Sequence, residues 1–164
     1  MATLKFKIAT PEKVVYEKDS VAQVTIPTMN GEITILPNHI PLVSVVKAGE
    51  LRVRDREGEH LMAVAGGFLE VRGNNEIVIL ADNAERAQDI DIAKAEAAHH
   101  RADELMKQIK NVQDVDYARL QAVIEKETNR IRIGRKFKKL PNTELASRTK
   151  SNGEVQVEPE DEKR

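Results

Sequence analysis

Apolar residues along the first half of the chain recur with a period of two. Leu4, Phe6 and Ile8 alternate with Thr3, Lys5 and Lys7, and Val24 with Ile26, Ile33 with Ile35, Leu51 with Val53 and Ile77 with Ile79 repeat the pattern. Such alternation gives a strand one dry face and one wet face. Turn formers separate the runs: Thr10-Pro11, Asn30-Gly31, Pro37-Asn38, Pro41, Glu57-Gly58, Gly66-Gly67 and Gly73 to Asn75. Short strands at this spacing predict an antiparallel β-sandwich. Within it, Leu51 to Ala65 reads as a hairpin turning at Arg56 to Glu59, with Gly58 able to supply a positive φ. Gly66-Gly67 is followed by Phe68, Leu69 and Val71, another strand, and not by the Lys and Ser/Thr of a phosphate-cradling loop. A bulge or tight strand junction is therefore expected there.

The pattern changes between Asp82 and Asp91. Asp89 or Asp91 can cap a helix, and strong helix formers run on through Ile109 without Gly or Pro. At 100° per residue, Asp91, Lys94, Ala98, Arg101, Ala102, Leu105 and Ile109 share one side. A polar break at Asn111 to Asp114 precedes a second helix, from Asp116 to about Ile133, with a stripe of Tyr117, Leu120, Ile124 and Ile131. The short link makes the two helices an antiparallel hairpin. After Pro141 the chain turns polar and ends in the acidic run Glu158 to Glu162, a composition unable to form a core. The expected organisation is a sandwich over 1–87, a hairpin over 88–134 and a basic, then acidic, disordered tail over 135–164. The hairpin offers few large apolar residues, so it needs a docking surface and can exchange one surface for another.

Composition narrows the chemistry. The chain has 164 residues, no Cys and a formal net charge of -1, so disulfides and thiolate chemistry are excluded and no global field draws it to nucleic acid or anionic lipid. No run approaches the roughly 18 apolar residues of a membrane span. Nothing pairs a nucleophile with a base. His99 and His100 are adjacent and give no helical metal-ligand pair, so neither a catalytic site nor a metal site is expected.

Three places invite a functional reading. Pro37 and Pro41 bracket His39 in a stiff segment, which is either a corner between sheets or a platform presenting His39 to a partner. Asp91, Lys94 and Arg101 on one stripe form either an ion pair with a snorkelling arginine or an anion pocket. Arg119, Lys126 and Arg130 form a second stripe that runs into Arg132, Arg135, Lys136, Lys138 and Lys139. That basic end suits a helix dipole, an acidic protein partner or RNA. A nucleic-acid-binding module using 130–139 is the alternative from another class, and a lone Phe137 in the run offers RNA no stacking platform.

The strings GEITILPNHIPLVSVVKAGELRV from Gly31, AVAGGFLEV from Ala63 and ILADNAERAQDIDIAKAEAA from Ile79 together resemble the bacterial epsilon subunit of F-type, rotary ATP synthases, over about residues 3 to 133. The resemblance implies a non-catalytic rotor subunit, peripheral on the cytoplasmic face of the bacterial membrane. Its sandwich would join the gamma subunit to the c-ring, with Glu32 towards the polar loops of the ring and His39 towards gamma. It implies a mobile hairpin that inhibits ATP hydrolysis by reaching the alpha/beta catalytic head, with Arg130, Arg132 and Arg135 as candidate contacts. No cofactor is required, but a regulatory ATP site is implied at Glu85, Ile90, Asp91, Lys94, Ala95, Arg101, Lys126 and Arg130. Lys94 and Lys126 stand where that family has Arg, which removes the planar fork that grips phosphate in two places.

Overall fold

A computed structural model describes residues 2–109 and 115–140. Seven strands precede two helices: β1 (Leu4–Ala9), β2 (Val14–Thr28), β3 (Gly31–Ile35), β4 (Leu42–Val45), β5 (Gly49–Asp55), β6 (Gly58–Arg72) and β7 (Glu76–Arg86). A 3-10 turn at Ala87–Asp89 leads into α1 (Ile92–Gln108), and α2 covers Val115–Lys139. The strands are ordered β1-β7-β6-β5-β2-β3, β4 adds to β6, and β1 also pairs with β2. The long strands β2 and β6 thus serve both layers of the sandwich, and the ring of pairings closes. One pairing departs from the antiparallel expectation: β1 runs parallel to β7. Alternation marks the faces of a strand but carries no information on its direction.

The predicted alternating residues fill the core. Leu4, Phe6, Ile8, Ile26, Leu51, Leu69, Ile77 and Ile79 are almost completely excluded from water. The hairpin from β5 to β6 turns at Arg56-Glu57, and Gly58 has a φ of +134°. Asp55 closes this turn by accepting hydrogen bonds from the amides of Glu57 and Gly58 at 2.7 and 3.1 Å.

Gly66-Gly67 is the corner between the layers. Along β6 the core positions are Met62 and Val64 before the pair but Leu69 and Val71 after it, so the inward parity changes. Both glycines have positive φ, 77° and 125°. A Cβ on Gly66 would collide with an Asp82 carboxylate oxygen, and one on Gly67 with the Leu80 carbonyl oxygen. The register with β7 nevertheless continues from Ala65↔Asn83 to Gly67↔Ala81, which makes this a tight junction and not a register-shifting bulge.

Asp91 caps α1, accepting from the Lys94 amide at 3.0 Å. The C-terminal end of α2 meets the start of α1, where Gly134 lies against Ile92 and Arg135 donates to Glu96 at 2.6 Å, so the pair is antiparallel. Three expectations need correction. The packed side of α1 runs through Ala95 and Ala102, while Lys94, Arg101 and Leu105 are exposed, so those charges do not lie in the seam. On α2, Tyr117, Leu120, Ile124 and Ile131 are only half-buried, and full burial falls on Glu127, Ile133 and Gly134. Finally, α2 continues through Lys139, so 135–139 belong to the helix and not to a disordered tail. The expected acidic tail beyond 140 lies outside the described residues.

Candidate functional site

The parity change at Gly66-Gly67 gives the sandwich two outer faces of different character. On the first, register places Val45 opposite Phe68, and Phe68 opposite Leu80. β1 continues the row, with Ala9 opposite Leu80. Because Leu69, Ile77 and Ile79 point inward, these side chains point out: Val45 is 46%, Phe68 61% and Leu80 61% exposed, with Val43 at 72% on the same strand as Val45. A contiguous apolar row of this kind marks a surface for another macromolecule. It was missed in the sequence, where the signal was present as adjacent apolar pairs. A strand with one buried face needs only one residue of Val45-Val46, Phe68-Leu69 and Ile79-Leu80.

The Pro37 to Pro41 segment adds Leu36 and Ile40, 53% and 74% exposed, on either side of His39. Asn38 takes a left-handed φ of 66°, the His39 amide donates to the Leu36 carbonyl at 3.2 Å, and His39 Nδ1 lies 2.7 Å from the Ile40 carbonyl oxygen. The loop is therefore locally tied, with apolar side chains outward. Glu32 lies near the start of β3 and accepts from Arg52, while His39 lies in the loop beyond its other end, so the two do not form a single cluster.

The second outer face carries the hairpin. Leu61 and Ala63, on the side of β6 away from the core, pack with Ala87, Ile90 and Ile133, and Ile92, Phe137 and Leu140 cover the edge. Charge frames this small contact. Arg130 donates to Glu85 at 2.8 Å and to the buried Glu127 at 2.7 Å, and Lys136 donates to Glu50 at 2.6 Å. Burial opposes the charge of Arg130, but the hydrogen bonds from Glu85 and Glu127 prevail and hold its pKa above the ordinary arginine value. Gly134 permits the close approach, since a Cβ there would lie 2.9 Å from Ile92 Cγ1.

The residues proposed for ATP are only partly linked in this arrangement. Hydrogen bonds join Glu85 to Arg130 and Asp91 to the Lys94 amide. Ile90 and Ala95 are buried, the Lys94 and Arg101 residues are exposed, and Lys126 lines a separate groove with Asp82 and Asn83. Arg130 is committed to two carboxylates, Arg135 to Glu96, and Arg132 only to the Asn129 side chain. Arg132 and Arg135 are exposed, whereas Arg130 joins the hairpin to the sandwich.

One further cluster could be mistaken for a metal site. Ligand atoms of Asp55, Glu57 and His60 lie within 4.8 Å of one another. The Lys18 ammonium sits among them, 2.6 Å from Asp55 Oδ2 and 2.7 Å from Glu57 Oε2, so the cation position is filled by a side chain.

Two family profiles match consecutive parts of the chain: "ATP synthase, Delta/Epsilon chain, beta-sandwich domain" over residues 3–87 and "ATP synthase, Delta/Epsilon chain, long alpha-helix domain" over residues 88–134. The ATP synthase epsilon chain of Halalkalibacterium halodurans is 39% identical over 133 residues, 81% of this chain and 98% of that one. That of Desulforamulus reducens is 42% identical over 130 residues, 79% of this chain and 96% of its own length. The fold also superposes on a chain of the Euglena gracilis mitochondrial ATP synthase (OSCP/F1/c-ring, rotational state 1) with a TM-score of 0.67 at 22% identity, covering 79% of each chain. A sandwich domain and a helical domain matched in that order, and over nearly the full length of both bacterial relatives, place the chain in the ATP synthase epsilon-chain family.

Proposed function

We propose that this chain is the central-stalk rotor subunit of a proton-translocating F-type ATP synthase, and that it catalyses nothing itself. The sandwich joins gamma to the c-ring, and the hairpin restrains ATP hydrolysis when it leaves the sandwich for the alpha/beta head. The exposed row Val45, Phe68 and Leu80 carries this reading, because an apolar surface on the face opposite the hairpin lets the base stay bound while the hairpin moves. The His39 loop, with Leu36 and Ile40 outward, extends the base towards gamma, and Glu32 is the polar contact towards the ring. Through the complex the chain is peripheral on the cytoplasmic face of the bacterial membrane.

The docked hairpin already neutralises part of its basic end through Glu50, Glu85 and Glu96. An acidic surface on the catalytic head would replace the two partners on the sandwich, Glu50 and Glu85. The same pairing weakens the RNA alternative, which needs the cations free. A regulatory ATP bound to the docked form at 100 times its dissociation constant would add about 2.7 kcal/mol to that form.

Reconstitution of the catalytic head and gamma with either the full chain or residues 1–88 tests the reading. Faster ATP hydrolysis with the short chain is expected, and equal rates would remove the inhibitory role. Phe68→Glu with Leu80→Glu should abolish stable association with gamma while the isolated chain keeps its fold. Thermal melting with and without ATP, comparing wild type with Asp91→Ala and Lys94→Ala, tests the nucleotide site separately. Absence of any ATP-dependent shift in the wild type would dismiss that site.

A further inference from the structure

The C-terminal part of α2 and the middle of α1 line an open cavity of about 730 Å³. Arg132, Arg135, Lys136 and Lys139 line it at helical spacings of three, four and seven, so they share one face, and His99 joins them from α1. Glu96 and Glu50 pair with Arg135 and Lys136 at the margin. Arg132 and Lys139 have no carboxylate partner among the described residues. Ile131 and Leu140 supply its apolar floor, and Leu140 is the last residue before 141–164.

The family match ends at residue 134, and 24 residues follow Leu140. Their last part carries Glu154, Glu158, Glu160, Asp161 and Glu162 with no Lys or Arg between the first and the last, and Val155 and Val157 are interleaved. Glu158 lies 18 positions after Leu140, enough to reach about 60 Å when extended, while the basic face is only about 10 Å long. Reach therefore sets no limit, and tethering keeps the local concentration of carboxylate high.

We propose that the acidic segment 154–162 of this chain docks on the basic face of α2 formed by Arg132, Arg135, Lys136 and Lys139. The carboxylates meet the cations, and Val155 and Val157 meet the apolar floor. The segment then competes with any external acidic surface for the same cations, a restraint on the hairpin carried by the chain itself. The inference concerns the isolated chain and does not depend on the rotor reading.

The absence of Cys makes the test direct. A nitroxide attached to Ser151→Cys in the full-length, nitrogen-15-labelled chain should broaden amide signals of 131–139 at least twofold more than those of the sandwich at about 20 mM salt. The selective broadening should vanish at about 0.5 M salt, and also when Glu158, Glu160 and Glu162 become Gln and Asp161 becomes Asn. Arg132→Gln with Lys139→Gln should weaken it. Broadening that is absent, spread evenly over the chain, or unchanged in the neutralised variants would overturn the proposal. So would broadening that appears only between labelled and unlabelled copies in a mixed sample.

Discussion

Inside the sandwich, Leu4, Phe6, Ile8, Ile26, Leu51, Leu69, Ile77 and Ile79 are sealed from water. Where the hairpin meets it, Ile133 alone among the large side chains of the described residues is fully sealed, and its buried neighbours are Leu61, Ala63, Ala87 and Ile90. Each fully buried aliphatic side chain contributes about 1.5–3 kcal/mol, so the first region holds a surplus that the second cannot approach. The hairpin contact adds ion pairs instead, and these can be exchanged for other ion pairs at little net cost, which large buried side chains cannot. A stable base and a releasable arm follow from the same chain because apolar volume is concentrated in the strands and charge in the helices.

The contrast can be broken from either side. The largest effect is expected from Leu69→Ala, which empties a sealed core position and should cost about 3 kcal/mol in chemical denaturation of the sandwich. Gly134→Leu should act on the arm alone. A side chain there has to displace Ile92 and Ile90, so docking should lose about 2 kcal/mol, read as faster amide exchange in both helices with little change in the sheet. Arg130→Gln strands the buried Glu127 and should loosen the arm by about 1–3 kcal/mol, again without lowering the sandwich midpoint.

The smallest effect concerns pH. Burial pushes Asp55 up, but hydrogen bonds from Lys18 and from the Glu57 amide, and the neighbouring His60, hold its carboxyl below the ordinary value of 3.8. A carboxyl lowered by folding stabilises fully above its unfolded pKa and loses that contribution as pH falls through the folded value. Sandwich stability should therefore drop below about pH 4 through this group, and Asp55→Asn should flatten the part of the acid limb that it causes. Equal acid sensitivity in both proteins would remove Asp55 from that role.

Much of this division was legible in the chain. Period-two alternation located the sheet residues, and of the two cap candidates, Asp89 and Asp91, the structure uses Asp91 at the start of α1. What was not legible has physical reasons. The parallel pairing of β1 with β7 leaves no trace in alternation. The second helix was expected to end at about Ile133, yet Phe137 and Leu140 continue the stripe of Ile133 at four and seven residues, and Arg and Lys are good helix formers. The packed side of α1 was displaced because Leu105 drew the stripe towards itself, although alanines, not the leucine, permit the close approach. Among candidate site residues, the role of Arg130 depended on Glu85, 45 positions away, which no local pattern reveals. The outward row of Val45, Phe68 and Leu80 was hidden by the parity change at Gly66-Gly67.

Native-state hydrogen exchange across a denaturant series tests the separation of base and arm most directly. Amides of α1 and the described part of α2 should open together at a free energy several kcal/mol below that of β5, β6 and β7, with the sheet still protected. A single opening free energy shared by helices and strands would contradict the account.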